Sequence, residues 1–156
     1  MSRSIDRVVV AGSALGVAVE VRRFPEGTKT APDAARAVGC EVGQIVKTLV
    51  FMADGDPILA LTSGANRADV GKLARLVGAA EVRRATPEEA RAASGFTIGG
   101  TPAFGHPAPL RVLVDPDLMG YEEVWAAAGT PDAVFAIAPA DLLRASGGSP
   151  ADFAER

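Results

Sequence analysis

Few side chains in this sequence could do chemistry unaided. Its 156 residues include one histidine, His106, and one cysteine, Cys40. A lone thiol closes no intramolecular disulfide and builds no cysteine-based zinc site, so no metal site is expected. Cys40 follows Gly39 at the expected end of a helix and reads as a small buried hydrophobe. His106 has the ordinary pKa of a general base, yet no Ser-His-Asp or Cys-His set is legible around it. Ordering a loop or touching a ligand suits it better.

Two other features say more. Lys47 opens an apolar run after Gln44-Ile45-Val46, where an ammonium must snorkel to water or meet an anion. Beside a ligand it would suit a phosphate or a developing negative charge; a solvated strand-end lysine is the ordinary alternative. Residues 94–109, SGFTIGGTPAFGHPAP, have neither helical nor strand period, and loops of that length are usually functional. Without Cβ atoms, Gly99 and Gly100 could offer backbone N–H groups to a ligand. Pro102, Pro107 and Pro109 would keep such donors preorganised. An irregular crossover is the alternative, and the spacings of a P-loop and of a dinucleotide-binding loop are both absent. Arg67, Lys72, Arg75, Arg83 and Arg84 could form a basic patch, although charges on an outer helix face are commonly just solvated.

The elements that must position these residues can be read from periodicity. Ile5, Val8, Val9, Gly12 and Leu15 have helical spacing, with Gly16 as a stop. Val17, Val19 and Val21 alternate like a half-buried strand. Thr30 and Asp33 cap a helix over residues 31–38. Residues 47–53 and 57–62, joined by Asp54-Gly55-Asp56, form a central hairpin covered on both faces. A helix follows with Val70, Leu73, Ala74 and Val77, then a strand at 81–84 and a helix capped by Thr86 with Pro87 and Glu89. After the glycine loop come a strand at 111–115, a helix at 121–128 centred on Val124 and Trp125, a last strand at 134–138 and a last helix from Pro139. The expected class is α+β: one domain over residues 1–156, with a mixed or antiparallel, barrel-like central sheet surrounded by short helices.

Composition narrows the function. A hydrophobic share of 48% excludes disorder, and no apolar run is long enough for a membrane helix. MSRSIDRVVVAG lacks the pattern of a signal peptide, so a cytoplasmic protein is expected, with no membrane partner. A net charge of −3 argues against binding DNA or other nucleic acid through bulk charge, and leaves a local basic patch as the route to RNA.

Taken in order, TKTAPDAARAVGCEVGQIVKTLVF, LARLVGAAEVRRATPEEA, SGFTIGGTPAFGH, VLVDPDL and VWAAAGTPDAVF resemble the YbaK family. Its members are freestanding relatives of the editing domain inserted in bacterial prolyl-tRNA synthetases. The likeness runs from about residue 28 to 143, and QIVKTLVF and GGTPAFGH are its specific blocks. The resemblance implies a trans-editing hydrolase that cleaves the ester between a wrong amino acid, alanine or cysteine on the proline tRNA, and the tRNA 3′ end. It implies no cofactor. Lys47 matches the lysine placed to hold the terminal adenosine and its phosphate. Gly99 and Gly100 match the loop that positions the scissile carbonyl and the attacking water, with the substrate's own 2′-hydroxyl supplying most of the catalytic push. Thr30, Phe104, Gly105, His106 and Asp115 fall where the family lines or braces the pocket. The chain departs from the family at Ala103, where a proline is common; Pro102, one residue earlier, would stiffen the loop instead. The implied partner is the acceptor end of an aminoacyl-tRNA, delivered with or without a prolyl-tRNA synthetase or an elongation factor. A noncatalytic module binding a nucleotide or aminoacyl ligand is the alternative function.

Overall fold

A computed structural model describes residues 3–28 and 30–156. Its helices are α1 (Arg3–Ala14), α2 (Ala31–Val38), α3 (Val70–Val77), α4 (Pro87–Ser94) and α5 (Pro139–Ser146). Its strands are β1 (Arg22–Arg23), β2 (Val46–Ala53), β3 (Asp56–Ser63), β4 (Val82–Arg84), β5 (Arg111–Val114), β6 (Val124–Ala127), β7 (Ala133–Ile137) and β8 (Ser149–Pro150).

The β2–β3 hairpin is the centre of the molecule. It pairs along its whole length, from Val46 opposite Ser63 to Ala53 opposite Asp56. The connecting pair, Asp54 at φ 49° and Gly55 at φ 87°, adopts the left-handed backbone of a tight two-residue hairpin turn. Alternation then sends side chains to two cores. Val46, Val50, Leu59 and Leu61 join Val8, Phe96, Phe135 and Leu142 on one face. Phe51, Ile58 and Ala60 join Leu73, Leu113 and Phe153 on the other. Burial on both faces explains the nearly unbroken apolar sequence of both strands.

Around the hairpin, β5 runs parallel to β3, β8 runs parallel to β5, and β4 pairs antiparallel with the end of β2, giving the order β4-β2-β3-β5-β8. A second sheet, β1-β7-β6, is antiparallel and touches the first through a bridge between Ile45 and Trp125. The α+β class therefore holds, with a mixed principal sheet. The strand order is linear in each sheet, so neither closes into a barrel.

Two segments differ from the sequence reading. Residues 121–128 are not a helix; their core is β6, which pairs with β7 from Val124 opposite Ile137 to Ala127 opposite Val134. Val124 and Ala126 face the main core while Trp125 faces a smaller cluster with Ala31, Ala35 and Val134. That is a period of two, and alanines, the strongest helix formers and poor strand formers, conceal it. Pairing with β7 buries both faces of this segment and overrides that propensity. In the second segment, Val17, Val19 and Val21 pack on the core, but only Arg22 and Arg23 join a ladder. Alternating burial arose there without a neighbouring strand. β8 also lies beyond the strand expected to be last.

The β6–β7 turn is locked to α1. Gly129 has φ 106°, and a Cβ there would stand 2.6 Å from the Ser4 carbonyl oxygen. Gly129→Ala should cost about 1–3 kcal/mol in urea denaturation, from backbone strain and the clash together. A loss of less than about 0.5 kcal/mol, the level of an ordinary surface change, would refute this packing.

Candidate functional site

β4 covers only part of β2. Its pairing spans Phe51, Met52 and Ala53, the Ala85 N–H then bonds the Val50 carbonyl, and the chain turns away into α4. The outer edge of residues 46–49 is left open, and a cleft of about 550 Å³ occupies that space. Lys47, Thr48 and Leu49 line it from β2. Thr28, Thr30 and Ala31 form one side at the start of α2, Trp125, Ala127 and Val134 come from the second sheet, and Arg84, Ala85, Ile98, Gly99 and Thr101 close the other side. Among the described residues the wall holds two cations, Lys47 and Arg84, and no carboxylate.

Lys47 is half-buried and does not simply project into water. Its Nζ donates to the Asn66 carbonyl. Burial first, then the charges of Arg67 and Arg84, push its pKa below the ordinary 10.5, while Asp115 opposes them. Asn66 is itself fixed, its Nδ2 donating to Asp115 Oδ2 at 2.8 Å and to Asp117 Oδ2 at 2.7 Å. Asp115, 1% exposed at the end of β5, also accepts the N–H groups of Ser63 and Asp117, each at 3.0 Å. It lies off the cleft wall and braces the loop whose carbonyl receives Lys47. The C-terminal segment straps the same loop, with Glu155 N–H to the Arg67 carbonyl and Asp69 N–H to the Phe153 carbonyl, both 2.7 Å.

The two loop glycines divide their work. Gly99, at φ 89°, lines the cleft, and its N–H has no acceptor among the described residues. The Gly100 N–H is already used, donating to the Thr97 carbonyl at 3.0 Å. A Cβ on Gly100 would stand 2.7 Å from Thr130 Cα and 2.8 Å from the Gly129 carbonyl carbon. Gly100 therefore lets two backbones meet, and that contact seats Gly99.

Of the remaining residues singled out in the sequence, Thr30 lines the cleft while its Oγ1 caps α2, accepting the Asp33 N–H at 3.2 Å. Pro102 is buried behind the loop, its carbonyl 2.9 Å from His106 Nε2. Ala103 and Phe104 are 1% and 2% exposed in the main core, where Phe104 meets Phe135 edge-on at 5.8 Å. Gly105, at φ 84°, packs beside Ala11. Phe104, Gly105 and His106 thus lie behind the wall. Cys40 also lies away from the cleft, beside Glu41, and burial pushes its thiol pKa up. Of the basic residues, Arg84 reaches the cleft, whereas Arg83 is held by Glu89 through bonds of 2.7 and 2.8 Å. No group of three or more His, Cys, Asp or Glu among the described residues could share a metal ion. Sequence reasoning passed over Asn66, which acts through its backbone, and Thr48. The one signal for Thr48 was a polar residue within an otherwise apolar strand.

Comparison with known proteins places this geometry among relatives. The family described as the aminoacyl-tRNA editing domain matches residues 25–145. A proline–tRNA ligase of Nitratidesulfovibrio vulgaris (strain DP4) is 35% identical over 94 residues, which are 60% of this chain but 16% of the ligase. The chain thus corresponds to about a sixth of that enzyme. A Bacillus subtilis protein, YwhH, is 25% identical over 123 residues, covering 79% of this chain and 78% of its own. A solved structure described as a candidate trans-editing enzyme for prolyl-tRNA synthetase superposes with a TM-score of 0.94 at 50% identity, covering 100% of this chain and 99% of that one.

The clamp between His106 and Pro102 has a pH signature. Burial, with Arg7 nearby, pushes the His106 pKa below its usual 6.5, against the pull of the Pro102 carbonyl. Between that lowered value and 6.5 the unfolded chain binds more protons than the folded one, so stability falls on acidification through this window and is level above it. Urea denaturation of wild type and His106→Gln at about pH 7.5 and about pH 5 should show a larger acid loss in the wild type. Parallel losses would refute the burial of a neutral imidazole.

Proposed function

Since the chain belongs to the family of aminoacyl-tRNA editing domains, we propose that it acts in trans as an aminoacyl-tRNA deacylase, hydrolysing the ester of a wrong amino acid at the tRNA 3′ end. The observation that carries this reading is a fixed cation, Lys47, in the same open cleft as Gly99, whose N–H has no acceptor and whose neighbours on the wall include no carboxylate among the described residues. Such a site attracts a phosphate at one point and a developing oxyanion at another.

The chemistry asks little of the protein. An aminoacyl ester is already activated, so positioning and oxyanion stabilisation can suffice. In the proposed reaction Lys47 holds the phosphate of the terminal nucleotide, and the Gly99 N–H bonds the scissile carbonyl oxygen as it gains charge. The substrate's 2′-hydroxyl assists a water whose oxygen joins the carbonyl carbon. The ester C–O bond breaks, the 3′-oxygen takes up a proton, and a free amino acid leaves. Gly100 and Asp115 act behind the reacting groups, one seating Gly99 and the other holding the loop that anchors Lys47. A cleft of about 550 Å³ is of the size that encloses a small molecule, and fits one aminoacyl-adenosine.

Alanine or cysteine on the proline tRNA is the substrate we favour, supported by the likeness to proline–tRNA ligases and to a trans-editing structure. Side chains this small are poorly rejected by binding alone, since a methylene is worth about 1–3 kcal/mol, and a second hydrolytic site answers that limit. Arg84 on the wall and Arg67 near Lys47 would steer the acceptor end, and a synthetase or elongation factor could add to recruitment.

A deacylation time course on a panel of mischarged tRNAs tests the proposal. Wild type should hydrolyse one or two species, and Lys47→Ala should be slower by roughly 10- to 100-fold, as expected for a lost charge-assisted hydrogen bond. Its far-ultraviolet circular dichroism should be unchanged. Full activity in Lys47→Ala would overturn the role of the lysine, and no turnover on any species would favour a noncatalytic binding module.

A further inference from the structure

Thr48 Oγ1 is the sole side-chain oxygen or nitrogen among the described residues that is buried without a hydrogen-bond partner. It belongs to β2, on the cleft wall, between Val46 and Val50 on the same face of the strand. A valine would fill nearly the same volume without an unpaired hydroxyl, so burial alone gives threonine no advantage here.

The backbone of Thr48 is in the same condition. Val50 O accepts from Ala85 N at 3.1 Å, and Asp54 N donates to Glu81 O at 2.9 Å, both across the outer edge of β2. Strand backbone groups repeat their direction at every second residue. The N–H and carbonyl of Thr48 therefore point toward that edge as well, where β4 has already ended and the cleft begins.

A ligand donor entering this cleft finds no carboxylate among the described residues of the wall, and Lys47 and Arg84 only donate. Thr28 Oγ1 donates to the Pro131 carbonyl at 2.8 Å and Thr101 Oγ1 to the Thr97 carbonyl at 3.2 Å, which orients both hydroxyls and leaves each a lone pair, while Thr30 Oγ1 accepts the Asp33 N–H at 3.2 Å. Among the described residues of the wall, Thr48 alone joins a hydroxyl with no partner to a backbone carbonyl on the unpaired edge of β2. We propose that Thr48 is the subsite for the α-amino group of the aminoacyl ester, whose N–H bonds need acceptors in either protonation state. This assignment rests on the deacylase reading, because an aminoacyl ester is the ligand that brings an amine to this cleft. It makes Thr48 a substrate-binding residue that sorts aminoacyl esters from acyl esters lacking the amine, and it fixes the acyl group at a second point besides its carbonyl.

Two non-hydrolysable adenosines test the subsite by calorimetry: 3′-alanylamido-3′-deoxyadenosine and its propionylamido counterpart, which has the same carbon skeleton without the amine. Wild type should prefer the alanyl probe by about tenfold or more. Thr48→Ser should keep the preference and Thr48→Val should lose it. Thr48→Val should be no less stable in urea, since it deletes an unsatisfied hydroxyl. Equal binding of the probes by wild type, or an undiminished preference in Thr48→Val, would overturn the assignment. Assay of the same preparations on mischarged tRNA separates the two readings. Turnover with equal probe binding removes the subsite alone. Preference for the alanyl probe without turnover removes the deacylase and keeps the subsite. Binding of neither probe, with no turnover, removes both.

Discussion

Everything about the cleft follows from the incomplete pairing of one buried strand. β2 is central in both senses, hydrogen-bonded to β3 along its length and covered by side chains on both faces. Its second edge is paired only from Phe51 onward. An unpaired edge with apolar faces normally invites another strand. Here the approach is blocked by α2, the glycine loop and the β6–β7 hairpin, which stand back far enough to leave about 550 Å³. The cleft is thus a place where a sheet stops early, and its floor carries main-chain donors and acceptors held by the ladder on the other side.

A rigid floor still needs its cation held in place. Lys47 gains this from a relay of mostly neutral groups: its ammonium meets a backbone carbonyl, that residue's amide meets two carboxylates, and one of them is sealed by two further N–H donors. The arrangement keeps the Asp115 charge out of contact with the lysine. A direct buried ion pair would satisfy the ammonium and leave less of its field for a ligand. With Arg67 and Arg84 close enough to lower the lysine's pKa, the cleft carries a local positive field inside a protein of net charge −3.

The sequence made the hairpin, α2, α3, α4 and α5 legible because each has local punctuation: a left-handed turn pair, a capping threonine or aspartate, a first-turn proline or a closing glycine. It misled at β6, where Ala126 and Ala127 favour a helix by propensity and the deciding partner, β7, lies across a turn. Val17, Val19 and Val21 misled in the opposite direction, since alternation records which side is buried and says nothing of whether a strand lies alongside. In the site, Lys47 and Gly99 were visible through residue type. The difference between Gly99 and Gly100 was not, because it depends on where Thr97 and Gly129 sit. Asn66 contributes a carbonyl that any residue possesses, which no reading of side chains could find.

The departure at Ala103 gains a physical meaning from this geometry. A proline at that position would restrict the loop by fixing one backbone angle and removing one donor. This chain restrains the same segment by other means. Ala103 and Phe104 are anchored in the main core, Phe104 against Phe135, and the Pro102 carbonyl is clamped by His106. Gly95, whose carbonyl accepts from Arg7 Nη1 at 2.9 Å, is tied to α1 at the near end of the loop. These attachments, to β7 and α1 and within the loop itself, act from behind the loop in place of a single ring constraint and leave Gly99 on the cleft wall. Because α1 supplies Arg7 and packs Ala11 beside Gly105, the first helix, which lies ahead of the 25–145 segment shared with the family, becomes part of what holds the glycine loop in place.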